Sequence, residues 1–110
     1  MIDERILEEY AKCSAKAYNT SQENMLHSKS RDVYSVFGRQ ALTVWLHEQH
    51  GFSHSEIGRI LHIDHGTSIN RLKQHNDLCE HDQHYRQRFR RFCRMAARAR
   101  QQAEKLGIEC

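Results

Sequence analysis

The stretch SHSEIGRILHIDHGTSI at residues 53–69 restricts the fold more than any other part of this chain, because it begins two short helices in quick succession. Ser53 and Glu56 have the S-x-x-E spacing of a capping box, in which the serine oxygen and the glutamate carboxylate each accept a hydrogen bond from a free backbone N–H. We therefore predict a helix that begins at His54. Its buried face is formed by the apolar residues at helical spacing, Ile57, Ile60 and Leu61.

A second helix is predicted to begin near Asp64–Gly66. Asp64 is a favourable capping residue, and Ile69 and Leu72 continue the apolar spacing. Two short helices that pack through such residues across a tight turn are typical of a helix-turn-helix. An ordinary helical corner has the same pattern.

The start of this second helix carries side chains that suit nucleic acid. Short or forked hydrogen-bonding groups bind base edges and phosphates, and a glycine lets the backbone approach a phosphate closely. The candidate DNA contacts here are His65, Gly66, Thr67, Ser68, Asn70 and Arg71. The alternative is that Asp64, Thr67 and Ser68 only cap the helix.

Helices are also expected elsewhere, because proline is absent, glycine occurs only five times and strong helix formers dominate. The apolar spacing predicts a first helix over residues 2–18 and a short one around residues 25–26. A long central helix is predicted from Arg31 to about His50, with Gly51 suited to its left-handed end. The predicted fold class is therefore all-α.

The C-terminal part of the chain is predicted to form one long helix, from about residue 82 to residue 106, with an apolar seam and a cationic face. The seam follows a/d spacing through Tyr85, Phe89, Phe92, Ala96, Ala99, Ala103 and Leu106. Seven arginines lie between residues 86 and 100 with no acidic residue among them. We take Arg90 and Arg94 as candidate phosphate contacts; the alternative is a solvated face whose arginines cover apolar neighbours.

The net charge of +3 is concentrated in this C-terminal part. Residues 1–74 carry nine Lys/Arg and nine Asp/Glu, whereas residues 75–110 carry eight and five. A basic segment of this kind favours a polyanionic partner, with double-stranded DNA as the obvious candidate.

Other classes of function are not expected. No apolar run approaches the ~20 residues that span a bilayer, and the acidic N-terminus lacks signal-peptide features, so we expect a cytoplasmic, nucleoid-associated protein. The four cysteines are expected to be free thiols, because they form no C-x-x-C pair or tight framework. The densest set of possible metal ligands lacks the spacing of a zinc site and comprises Cys79, His81, His84 and Cys93. We expect no metal, no cofactor and no enzymatic activity, since catalytic motifs are also absent.

Residues 2–74 resemble the C-terminal DNA-binding domain of the bacterial replication initiator DnaA. Four motifs carry the resemblance by order and spacing: YNTSQENMLHSKSR, GRQALTVWL, SHSEIGRIL and HIDHGTSI. An ungapped overlay places like residues at Ser28, Lys29, Arg31, Arg39, Gln40, Ser53, Ile57, Gly58, Thr67 and Ser68. The resemblance implies a helix-turn-helix domain of DnaA C-terminal type at residues 1–76, followed by an Arg-rich amphipathic helix at residues 77–110.

The resemblance also implies particular DNA contacts. In the family a basic loop reaches a minor groove and a pair of threonines contacts the duplex, so Lys29, Arg31, Thr67 and Ser68 carry over, and Arg39 overlays on a family arginine. This chain departs from the family where the family's R-D-H becomes Asp64–Gly66. The resemblance therefore implies the fold more firmly than the target sequence.

Two functions compete at this point. The favoured one is sequence-specific binding of double-stranded DNA by a freestanding module without ATPase activity, in bacterial, phage or mobile-element replication initiation or its regulation, or in transcription regulation. The alternative is a protein-interaction or oligomerisation module on a degenerate helix-turn-helix scaffold, which Asp64 favours because its charge would repel a phosphate. In that case a homodimer or protein partner would use the seam at Tyr85, Phe89, Phe92 and Leu106. The C-terminal helix has three possible arrangements: packed on the domain, dimerised through the seam, or along the DNA.

Overall fold

The computed structural model describes residues 2–26 and 32–108, and within those residues the chain is all-α, with no strand. The helices are α1 (Glu4–Ala17), α2 (Gln22–Leu26), α3 (Val33–His50), α4 (His54–Leu61), α5 (His65–His81) and α6 (Gln83–Lys105). The predicted fold class is confirmed at this level, and each predicted helix is present.

Local capping signals set most of the helix ends. The predicted capping box at the start of α4 is confirmed, since Ser53 Oγ accepts from Glu56 N–H at 3.1 Å and the Glu56 carboxylate accepts from Ser53 N–H at 3.0 Å. Gly51 ends α3 in the left-handed region with φ 71°, as its position predicts. Asp64 occupies the N-cap position of α5, but its side chain makes no capping hydrogen bond. The turn before α5 therefore relies on other contacts.

One apolar core joins helices from both ends of the chain. Its buried members come from α1, α3, α4 and α6, with Tyr18 just after α1: Ile6, Tyr10, Cys13, Ala17, Tyr18, Ala41, Leu42, Trp45, Leu46, Ile57, Tyr85, Phe92, Ala96 and Ala103. Aromatic contacts link α6 to the others, with ring centroids 5.9 Å apart for Trp45 and Phe92 and 5.0 Å apart for Phe37 and Tyr85.

Helix α6 packs into the same core as the rest of the domain, and the predicted division of the chain into residues 1–76 and 77–110 stays a prediction. Helix α5 runs across that boundary, and the buried residues of α6 belong to the same core as those of α1. The physical reason is that the seam of α6 and the apolar stripe of α1 cover each other within one chain, so no second chain is needed to bury them. Of the three arrangements left open above, the structure has α6 packed on the domain.

The same packing buries two of the four seam residues that were predicted to meet a partner. Tyr85 and Phe92 are buried at 1% and 0% exposure, and Phe89 is half-buried. Leu106, which follows the end of α6, is 79% exposed. A partner that docks on these residues would have to displace α3 and α5, because Phe92 packs on Trp45 and Phe89 packs on His75.

Candidate nucleic-acid interface

The corner between α4 and α5 is closed by a backbone contact at Gly58. The backbone turns at His62, which has the left-handed φ of 56°, and Ile63 N–H donates to the Gly58 carbonyl at 2.9 Å. A Cβ atom at position 58 would lie only 2.6 Å from the Ile63 carbonyl oxygen. The corner therefore requires a glycine at this position, because any larger residue would push the turn away from α4.

The N-terminal half of α5 presents a polar face to solvent. His65, Gly66, Thr67 and Asn70 are exposed, and the first N–H groups of a helix have no acceptor within it. A Cβ at Gly66 would meet no heavy atom of the described residues within 4 Å. The space around Gly66 is therefore open to an approaching group.

Ser68 does not share this exposed face. It is fully buried, and its Oγ lies 2.9 Å from His54 Nδ1 in a hydrogen bond between α5 and α4. Neighbouring residues on a helix point about 100° apart, so Thr67 and Ser68 face different directions. Of the predicted hydroxyl pair, Thr67 is available to a ligand and Ser68 fixes α5 on α4.

The histidine that bonds to Ser68 is part of a stacked pair. The rings of His47 and His54 lie 4.6 Å apart and nearly parallel, with an interplanar angle of 13°. His47 Nδ1 lies 2.8 Å from the Phe52 carbonyl, which only accepts, so Nδ1 carries the proton. Burial, and then the neighbouring His47 and His65, lower the pKa of His54. The surroundings of His54 thus favour a neutral ring beside the exposed start of α5.

Arg71 fixes α5 on α3. It is half-buried and donates to Thr43 Oγ1 at 3.0 Å, while Thr43 donates to the Arg39 carbonyl at 2.8 Å. Burial, and then the charge of Arg39, lower the pKa of Arg71 to about 10, and burial also lowers the pKa of Arg39. With a pKa of about 10, Arg71 keeps its charge at neutral pH, and an anion that approached it would offset the cost of its burial.

A third polar contact holds the middle of α5. Tyr85 Oη accepts from Gln40 Nε2 at 3.1 Å and lies 2.7 Å from His75 Nδ1. The tyrosine hydroxyl has one proton and two lone pairs, so it can hydrogen-bond to both neighbours at once. Burial lowers the pKa of His75, in keeping with a neutral ring. The hydrogen bonds among Gln40, His75 and Tyr85 connect α3, α5 and α6. The orientation of α5 is therefore fixed by neighbouring helices at several points along its length.

The arginines of α6 fall into two groups. Arg86, Arg88 and Arg100 donate to backbone carbonyls of Cys79, Ala17 and Gln49 at 2.6, 3.4 and 3.1 Å. The other four are exposed: Arg90, Arg91, Arg94 and Arg98. The predicted contacts Arg90 and Arg94 therefore lie on the solvent face, as their spacing indicates.

The two candidate contact regions lie at opposite ends of α5. Burial raises the pKa of Cys79, and the positive charges of Arg86 and Arg90 oppose this shift, so Arg90 lies near the C-terminal end of α5. Twelve residues of helix separate Thr67 from Cys79, or about 18 Å at 1.5 Å per residue. The structure thus brings His65, Thr67 and Asn70 together and leaves the α6 arginines apart from them. Lys29 and Arg31 lie outside the described residues.

Sequence patterns missed the residues that support this surface, chiefly His47, His54 and Thr43. His54 is 14 residues from its partner Ser68 along the chain, and Thr43 is 28 residues from its partner Arg71. Helical spacing relates only residues three or four apart, so no local signal identifies them.

No protein-family model, curated protein or solved structure matches this chain. Among residues 2–26 and 32–108, no three His, Cys, Asp or Glu side chains are grouped as a metal site would require. No described helix is both long enough and apolar enough to cross a bilayer. The resemblance to the DnaA domain therefore rests on its motifs.

Proposed function

We propose that this protein binds double-stranded DNA in a sequence-specific way, with α4 and α5 acting as a helix-turn-helix of DnaA C-terminal type and α5 in the major groove. The observation that carries the proposal is the contrast between the two sides of α5. One side is fixed through Ser68, Arg71 and His75. The other presents Thr67 and Asn70 to solvent beside the open space at Gly66. A helix held in this way can place hydrogen-bonding groups against base edges.

Charge along α5 supports entry by its N-terminal half. The exposed residues through position 74 include Lys73 and no acidic side chain, whereas Asp77 and Glu80 are exposed further on. The helix dipole also favours phosphate at the N-terminus. Asp64, just before the helix, opposes this attraction, so we expect bases and phosphates to be contacted from residue 65 onward.

The proposed role is in replication initiation, its regulation or transcription regulation in a bacterium, a phage or a mobile element. This assignment follows from the resemblance of residues 2–74 to the DnaA domain. The interaction-module alternative is weakened, because Tyr85 and Phe92 of its seam are buried against the rest of the chain. We expect Arg90 and Arg94 to add sequence-independent phosphate contacts.

The first experiment is selection of bound duplexes from a random library, followed by fluorescence anisotropy on the selected site and a scrambled control at two salt concentrations. We expect the selected site to bind at least ~10³-fold more tightly than the scramble. Equal and steeply salt-dependent affinity for both duplexes would refute sequence-specific binding.

A matched pair of asparagines on α5 tests the proposed orientation. Asn70 and Asn76 are both exposed, but six residues place them about 120° apart around the helix. We expect Asn70→Ala to weaken the selected site by roughly 10- to 100-fold with little effect on the scramble. Asn76→Ala should leave both affinities unchanged. If the two variants behaved alike, α5 would not be docked through its N-terminal half.

A further inference from the structure

A cavity of about 540 Å³ lies between the C-terminal end of α1 and the first three turns of α6. Its polar lining residues are Lys16, Asn19, His84, Gln87, Arg88 and Arg91. Three of these carry a fixed positive charge, and no described residue that lines the cavity is acidic. A lining that carries three cations and no acidic side chain attracts a small anion.

Arg88 is positioned at this cavity by two contacts. Its Nη1 donates to the Ala17 carbonyl at 3.4 Å, and its guanidinium lies 4.8 Å from the centre of the Tyr34 ring. A guanidinium has five N–H donors in a rigid plane, so these contacts leave donors for a ligand. The forked arrangement of such donors matches the oxygens of a phosphate group.

The remaining cations are not used to balance acidic groups at the cavity. Lys16 and Arg91 are exposed, and no ion pair of the described residues includes them. The nearby carboxylate of Asp82, in the adjacent cavity, is engaged as the N-cap of α6 and accepts from Tyr85 N–H at 3.0 Å. The N-terminal end of α6 adds the positive end of its helix dipole to the same region.

We propose that this cavity binds a phosphate group, held by Lys16, Arg88 and Arg91. The site is distinct from the α4–α5 corner, because α5 is 17 residues long and extends about 25 Å between the corner and the start of α6. Its ligand is either a backbone phosphate of a duplex or a small phosphorylated molecule. The proposal does not depend on α5 binding DNA.

The test is a titration of the full chain with inorganic pyrophosphate at constant ionic strength, followed by the NMR shifts of backbone amides. We expect saturable shifts at the amides of the cavity residues. Lys16→Gln with Arg91→Gln should weaken pyrophosphate binding at least ~10-fold, since two charge-assisted contacts are lost. The matched control is Arg98→Gln with Lys105→Gln, which also removes one arginine and one lysine charge, from exposed positions on α6 outside the cavity. It should change the affinity by less than ~2-fold.

Two results would overturn the proposal. One is the absence of saturable shifts, and the other is an equal loss of affinity in both double variants, which would leave only the general attraction of a basic helix. A competition with duplex DNA then identifies the source of the phosphate. If a duplex displaces pyrophosphate from the cavity amides, the site holds a backbone phosphate. If a bound duplex leaves those amides unchanged, the site belongs to a small phosphorylated molecule.

Discussion

Replacing Gly58 with alanine tests whether the α4–α5 corner depends on a close backbone contact. The added Cβ would lie 2.6 Å from the Ile63 carbonyl oxygen, whereas ordinary contact begins at 3.4 Å. The carbonyl would therefore have to move by about 0.8 Å, the difference between these two distances. It belongs to the backbone of a turn that is closed by the 2.9 Å bond from Ile63 N–H to the Gly58 carbonyl. A movement of this size strains that bond and shifts the start of α5.

Two opposing effects set the magnitude. Alanine in an open helical position is about 1 kcal/mol more favourable than glycine. Overpacking of a closely packed site costs about 1–3 kcal/mol. Because the clash is with backbone, we expect a cost in the upper part of this range, about 2–3 kcal/mol. After subtraction of the gain of about 1 kcal/mol, the free energy of unfolding should fall by about 1–2 kcal/mol. The corresponding decrease in Tm is roughly 5–10 °C for a chain of this size.

Gly66→Ala is the matched control for this substitution. It adds the same methyl group to the neighbouring helix, at a position where no described heavy atom lies within 4 Å of the new Cβ. We expect the Gly66→Ala variant to be as stable as the parent or up to about 1 kcal/mol more stable. Urea and thermal unfolding followed by circular dichroism measure both variants. If Gly58→Ala were as stable as Gly66→Ala, the corner would have room for a side chain and our account of it would be wrong.

Three other outcomes are expected from the polar contacts. Ser68→Ala should lower the free energy of unfolding by about 1 kcal/mol in a urea titration, because the half-buried His54 on α4 loses a hydrogen bond. Thr67→Ala on the exposed side should stay within about 0.5 kcal/mol. Tyr85→Phe should cost about 1–3 kcal/mol by the same measurement, since buried polar groups on α3 and α5 both lose their partner. Stability should fall as the pH drops from about 6.5 to about 4, because burial lowers the pKa of His50 to about 4 and the unfolded chain therefore binds more protons in that window. His50→Gln should reduce the loss of unfolding free energy between these two pH values by about 1 kcal/mol, a small value because the ring is still partly hydrated. An unchanged pH profile would show that His50 does not cause the loss.

The helix boundaries were predictable because they depend on residues close together in the chain. Ser53 and Glu56 are three residues apart, and their capping box forms as the spacing indicates. Gly51 ends α3 because a left-handed residue is needed there and glycine adopts that conformation without strain. Local signals of this kind do not depend on how the helices later pack.

The partner of the α6 seam was not predictable from the same information. An a/d pattern shows that one face of a helix must be buried, but it does not show whether the covering surface comes from another chain or from the same one. Here α1, α3 and α5 of the same chain cover the seam, and about 80 residues separate α1 from α6 in sequence. The amphipathic spacing of α1 was visible, yet many pairings of two apolar stripes satisfy the same pattern. Tertiary packing alone distinguishes between them.

Two adjacent residues at the start of α5 show a difference in what a motif can predict. The motif predicts where the helix lies, but it does not predict the role of each residue on it. The motif resemblance places both Thr67 and Ser68 on the hydroxyl pair of the DnaA domain, but their side chains point about 100° apart on α5. Once Ser68 is buried and bonded to His54, Thr67 must face outward. Asn70, which the overlay does not mark, lies 60° from Thr67 and is exposed on the same side. The surface that a duplex would meet is therefore defined by which side of α5 the domain already uses, and DNA contacts should be sought at Thr67 and Asn70 before Ser68.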